Sequence, residues 1–219
     1  MGDFPETVEV RVSHHALTDE FIIETHKVLL VRSSPYYRAV FQGRFADWKQ
    51  ETFTMQISYE DMHTFQMWLY YGELNLDRDI IDYQQLIRLY IFADYYGFPA
   101  LRRAIMSLLV QHNKEHDHCR VPHLPLLEDC LSQLPHTSPL YQWLAGTWAE
   151  HIDDLEEYGP DAQHLWHEMP LDFRLLVFSS RRYVGACYCC HNPCNFHEHE
   201  NEEEWKRSKS LSRCVTWTH

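Results

Sequence analysis

The sequence predicts an α+β fold in its first half and a helical continuation after it, on three observations. Residues 7–13, TVEVRVS, alternate Val8, Val10 and Val12 against Glu9 and Arg11, the period of two expected of a half-buried strand. Residues 60–71 and 83–96 instead space their apolar side chains at three and four residues, the period of a helix. The polar, histidine-rich and proline-terminated run QHNKEHDHCRVPH, residues 111–123, then separates this mixed region from one that carries only helical patterns.

Taken in order, the strand at 7–13 is followed by a polar turn and FIIET, a second strand that pairs with it as a hairpin. His26 to Val31 turns helical, and Ser34-Pro35 opens another helix, PYYRAVFQ, with Ser as N-cap, Pro at the first helical position and Gly43 just past its end. Residues 52–58, TFTMQIS, form a third strand. Met62, Phe65, Trp68 and Leu69 then share one helix face. The helix beginning at Tyr83 is apolar on two faces, Leu86, Ile87, Tyr90 and Ile91 on one and Leu89, Phe92, Ala93 and Tyr96 on the other, as a central helix must be. Gly97-Phe98-Pro99 ends it and starts the next, with Leu101, Ala104, Ile105, Leu108 and Leu109 as its stripe. Beyond residue 123 come LPLLEDCLSQL, a helix capped by Ser138-Pro139, and a last helix from Pro170 carrying Leu171, Phe173, Leu175, Leu176 and Phe178.

Of 219 residues, 45% are hydrophobic and 14% aromatic, enough for a sizeable core and against wholesale disorder. Lys and Arg number 19 against 32 Asp and Glu, a net charge of −13, which argues against gripping nucleic acid directly. The seven glycines form neither GxGxxG nor GxxxxGK[ST], so a nucleotide-phosphate cradle is not expected. There is no GxSxG elbow, and HEHEN is not HExxH, so neither nucleophilic nor catalytic-zinc chemistry is expected and the chain reads as no enzyme. His164 and His167 are read as exposed helix surface rather than ligands, and Cys119 and Cys130 as ordinary thiols. With no secretory leader and no apolar run of about 18 residues, the expectation is an intracellular protein, in nucleus or cytoplasm, without a membrane span.

The run THKVLLVRSSPYYRAVF, residues 25–41, resembles the BTB/POZ domain, with His26, Lys27, Leu30, Ser34, Pro35, Tyr36, Tyr37, Arg38 and Phe41 in the family's places. LYIFADYYGFPALR, residues 89–102, is similar to the family's closing helix pair at Ala93, Asp94, Tyr96, Gly97 and Leu101. The expected organisation is a BTB/POZ domain over residues 5–112, a helical C-terminal extension over 123–182 and a Cys/His-rich tail over 183–219. Ser138-Pro139-Leu140 and the C-x-F-H-x-H run Cys194-Asn195-Phe196-His197-Glu198-His199 resemble a fungal subgroup of BTB proteins.

The resemblance implies a protein–protein interaction module, and in many members a substrate adaptor for cullin-three ubiquitin ligases. Those adaptors carry a hydrophobic-x-Glu motif after the Ser-Pro-Tyr helix. The matching positions are Phe45, Ala46 and Asp47, where aspartate keeps the charge but is one methylene shorter. Phe45, Asp47 and Trp48 are therefore the candidate partner-binding residues, Phe45 and Trp48 being expected at the surface, and Tyr37 and Phe41 in the core. The resemblance further implies that His26 is buried for packing and bonded to backbone. The strand-swapped homodimer of many BTB domains needs a longer lead than the six residues before Thr7. A shorter form similar to elongin C is expected instead.

The tail carries the strongest chemical signal. Five of the seven cysteines lie between Cys187 and Cys214, beside His191, His197 and His199. Zinc favours tetrahedral thiolate and imidazole ligands, and Cys194 and His197 have the short spacing that grips one ion from one turn. The expected quartet is Cys194, His197, His199 and Cys214, with Cys187 and Cys190 as alternates, holding one structural zinc ion. A chromatin-associated regulator using this tail is the alternative function. Against it, residues 183–219 hold four cations (Lys206, Arg207, Lys209, Arg213) and five anions (Glu198, Glu200, Glu202, Glu203, Glu204).

Overall fold

The computed structural model describes residues 7–13, 21–42, 52–74, 82–115, 124–156 and 160–181, together with Phe196, His199, Glu202, Glu203, Trp205 and Lys206 of the tail. Three strands are seen among them: β1 (Thr7–Ser13), β2 (Phe21–His26) and β3 (Thr52–Gln56). Helices α1 (Lys27–Ser33), α2 (Pro35–Gln42), α3 (Tyr59–Tyr71), α4 (Tyr83–Tyr95), α5 (Pro99–Glu115), α6 (Leu124–Leu131), α7 (Pro139–Ala149), α8 (Pro160–Glu168) and α9 (Leu171–Ser180) complete the described elements, with a short 3-10 turn at Ile152–Glu156. The chain divides into two units, residues 1–77, 88–104 and 218–219 forming the first and residues 78–87 and 105–217 the second.

The first unit is built on a mixed sheet in the order β2-β1-β3. β1 and β2 pair antiparallel with Val10 opposite Ile23, while β1 and β3 run parallel with Val10 opposite Phe53. Parallel neighbours need a long crossover, which β2, α1 and α2 provide. Val8 and Val10 are buried and Glu9 and Arg11 exposed, as the alternation dictates. β3 ends at Gln56, earlier than its pattern suggests. Ser58 is drawn out of the strand because its hydroxyl accepts the Asp61 N–H at 3.1 Å and caps α3.

Against this sheet lies an aromatic lattice. Tyr37 stacks on Tyr96 at 6.2 Å and tilts against Phe98 at 5.8 Å, and Phe98 meets Phe65 edge-on at 4.9 Å. Phe92 joins the same group through Phe65 at 5.0 Å. The Ser34 hydroxyl fixes two parts of the lattice: it accepts the Tyr37 N–H at 3.1 Å and donates to the Tyr96 carbonyl at 2.7 Å. Gly97, at φ 67°, lets the chain leave α4 in the left-handed region, and a Cβ there would come within 3.5 Å of the Tyr36 Cβ. Asp61, almost fully buried, receives Arg88 in a fork, Nε to Oδ2 at 2.8 Å and Nη2 to Oδ1 at 3.2 Å.

The second unit has its own core, in which Trp143, Trp148, Trp166, Phe173 and Val177 are buried. α7 packs on α9 through Tyr141 against Phe173, edge-on at 5.5 Å, and Trp148 stacks on Trp166 at 6.3 Å. Pro139 sits at the start of α7, and the Ser138 hydroxyl accepts the Tyr141 N–H at 3.2 Å. The QHNKE part of the polar run continues α5 to Glu115 rather than leaving it. His112 and Asn113 are buried there, Asn113 Oδ1 accepting the Tyr83 hydroxyl at 2.6 Å. Polarity alone misjudges this turn because its polar side chains have partners inside the unit.

Candidate protein-interaction surface

α2 ends at Gln42, and the next eight residues carry the predicted partner-binding positions. Phe45, Asp47 and Trp48 all lie outside the described residues. The structure does show the surface from which that segment departs. Tyr37 is buried, as expected, and Phe41 is half-buried, touching Phe53 at 4.9 Å and lying under the Lys27 ammonium at 5.4 Å.

On the same unit, Tyr36 and Tyr95 stand out at 50% and 77% exposure. Both rings contact the buried Tyr96, at 6.2 Å and 4.8 Å. Tyr96 is held in turn, since its hydroxyl accepts the Gln56 N–H at 3.0 Å and its carbonyl accepts the Ser34 hydroxyl. Two exposed rings on one buried, tethered ring are preorganised, because little side-chain freedom remains to be lost on binding. The exposed guanidinium-bearing Arg38 lies on α2 two residues from Tyr36, its Nε bonded to the Val31 carbonyl at 3.3 Å. Tyrosine with arginine is the composition that interface centres favour.

Burial raises the Tyr37 hydroxyl well above the ordinary phenol range, with Tyr96 and Tyr36 adding to it. Tyr96 is raised by the same cause, opposed by the Gln56 N–H. Both therefore stay neutral wherever the protein is folded near neutral pH.

His26 departs from expectation. It is exposed, not buried, and its backbone N–H donates to the Tyr70 hydroxyl at 3.4 Å while its Nδ1 shares a 2.7 Å hydrogen bond with the same oxygen. A hydroxyl that can both accept and donate makes burial unnecessary for satisfying the ring.

Of the predicted zinc ligands, Cys187, Cys190, Cys194, His197 and Cys214 lie outside the described residues, and His199 is half-buried. Phe196, between Cys194 and His197 in sequence, is fully buried. Among the described residues no three His, Cys, Asp or Glu side chains gather as a metal-binding group. Cys130 is buried, and His164 and His167 are exposed, His164 facing Glu168 at 3.4 Å. Among the described residues no helix is long and apolar enough to cross a membrane.

One further surface was not anticipated from the sequence. Phe21, Ile22 and Ile23 of β2 face Tyr59, His63 and Gln66 of α3 across a groove. The signal available for it was FII itself, since three consecutive apolar residues on a strand put at least one on the outer face.

Comparison with known proteins agrees with this architecture. Residues 16–113 match the BTB/POZ domain. A fly protein, BTB/POZ domain-containing protein 9 of Drosophila melanogaster, is 31% identical over 98 residues, which cover 42% of this chain and 13% of that relative's length. The chain thus carries a BTB/POZ domain with the small mixed sheet and helix cluster of that α+β fold, and BTB domains are protein–protein interaction modules.

Proposed function

We propose that this BTB/POZ protein is a non-enzymatic intracellular adaptor in cullin-RING ubiquitination. A cullin-three type scaffold is held by α2 and Tyr95 together with Phe45, Asp47 and Trp48 of the following segment, while the C-terminal region meets a different protein. The observation that supports this best is the exposed pair Tyr36 and Tyr95 seated on tethered Tyr96. An interface centred there has aromatic anchors already in place, and the adjoining segment supplies a carboxylate, Asp47, in the family's acidic position. Calorimetric titration with a cullin-three N-terminal domain tests it. The expected result is micromolar or tighter binding, weakened at least about tenfold by Phe45→Ala with Asp47→Ala and again by Tyr95→Ala. Absence of binding by the wild-type chain contradicts the adaptor reading.

We also propose that Cys194, His197, His199 and Cys214, with Cys187 and Cys190 as alternates, hold one structural zinc ion. Complete burial of Phe196, the aromatic residue of the C-x-F-H-x-H run, supports this reading, because that side chain is packed against protein rather than solvated. Two thiolates and two imidazoles match zinc's preference, and full protein coordination would supply folding energy rather than chemistry. Purified protein should carry one zinc per chain, and Cys194→Ser should lower its melting temperature. Zinc-free protein with unchanged melting in the variant contradicts it.

A further inference from the structure

The groove between β2 and α3 has the features of a site for an extended peptide. Its first wall is a sheet edge: among the described residues β2 pairs with β1 alone, leaving alternate N–H and C=O groups of its other side directed outward. Its second wall is one stripe of α3, Tyr59, His63 and Gln66, at positions i, i+4 and i+7. The opposite stripe of α3, Met62, Phe65, Trp68 and Leu69, is buried, so the helix is fixed against the unit's core and the groove wall is rigid. The groove is open and of mixed character: Phe21, Ile22 and Tyr59 are 37%, 59% and 56% exposed, the Phe21 and Tyr59 rings lie 5.1 Å apart, and His63 and Gln66 add polar lining. Large apolar side chains are seldom left exposed together without an occupant.

The charges beside it select the occupant. Glu24 lies two residues from Ile22 on the same side of β2, with Glu9 opposite it on β1, and Glu60 adjoins Tyr59; all three are exposed. Arg11, opposite Ile22, is the one exposed cation among those neighbours in the sheet register. The surroundings are therefore net acidic, on a chain of net charge −13. A strand edge facing a helix is the arrangement in which a partner segment adds as a further strand and sends every second side chain between strand and helix.

We propose that an extended segment of a partner protein, apolar at alternate positions and basic between them, adds to the free edge of β2, seating its apolar side chains beside Phe21 and Tyr59 and turning its basic ones to the face that carries Ile22, Glu24 and Glu9. This surface is distinct from the Tyr36–Tyr95 surface and does not depend on the cullin reading.

The probe is a fluorescein-labelled heptapeptide, Lys-Ile-Lys-Val-Lys-Phe-Lys, titrated into the whole chain by fluorescence anisotropy. Two comparison peptides carry Pro for the central Val, which removes a ladder donor, or Glu for every Lys. Two variants, Phe21→Glu and Tyr59→Ala, alter exposed side chains, and circular dichroism checks that they fold. The expected result is saturable binding that weakens at least about tenfold for both comparison peptides and for both variants. Phe21→Glu is decisive, because simple ionic attraction would bind the cationic probe equally or more tightly once a carboxylate is added. Equal or tighter binding by that variant, equal binding of the Pro peptide, or no saturable binding overturns the proposal. A concentration-dependent dimer abolished by Phe21→Glu in the absence of peptide would also overturn it, by assigning the edge to a second copy of the chain.

Discussion

Each unit opens a helix with Ser-Pro followed two residues on by Tyr, yet the two caps do different work. Ser138 accepts the Tyr141 N–H, and among the described residues its hydroxyl is bonded only within its own turn. Ser34 accepts the Tyr37 N–H in the same way and also donates to the Tyr96 carbonyl, 62 residues away. The first cap starts a helix. The second joins α2 to the end of α4 and thereby holds the ring on which Tyr36 and Tyr95 rest. Local sequence chemistry specifies the cap in both cases, and only tertiary closure turns one of them into a tether.

The comparison can be broken most severely at the lattice itself. Phe98 is fully buried among Phe65, Phe92 and Tyr37, so Phe98→Ala should cost about 3–5 kcal/mol by urea denaturation. Ser34→Ala strips a buried cap and leaves the Tyr96 carbonyl without that donor. A loss of about 2–3 kcal/mol is expected, with faster amide hydrogen exchange in both α2 and α4. Ser138→Ala should cost only about 1 kcal/mol, with faster exchange confined to the start of α7. Equal losses from the two serines would erase the distinction drawn between them.

Alkaline pH sharpens the same contrast. Burial raises the folded-state pKa of Tyr37 above that of the unfolded chain, whose phenols ionise near about 10. The folded protein then binds more protons than the unfolded one, so this stability is complete below about pH 10 and falls as pH rises beyond it. The slope should approach about 1.4 kcal/mol per pH unit for this group. Tyr37→Phe should flatten it, as read from denaturation midpoints across that range.

Much of the first unit was legible beforehand because its signals are local. Alternation in TVEVRVS, the Ser34-Pro35 start, the two-faced α4 and the Gly97 stop each act within a few residues. The features that escaped are those that close over long separations. Arg88 reaching Asp61 spans 27 residues, and the Tyr70 hydroxyl serving His26 spans 44. A period of two or 3.6 carries no information about such partners. The β2–α3 groove escaped for the same reason, since its walls are two separately predictable elements whose juxtaposition is tertiary. QHNKE was misjudged because composition reports polarity, whereas burial of His112 and Asn113 depends on partners elsewhere in the fold.

The most direct test of the account follows amide hydrogen exchange of the whole chain with and without a saturating cullin-three N-terminal domain. Protection is predicted in peptides covering residues 35–48 and 91–97, the surface built on Tyr36, Tyr95 and Tyr96, with Ser34→Ala weakening it. Binding that leaves both stretches unprotected, or protection confined to residues 124–181, would contradict the claim that the tethered aromatic surface is where this protein meets its scaffold.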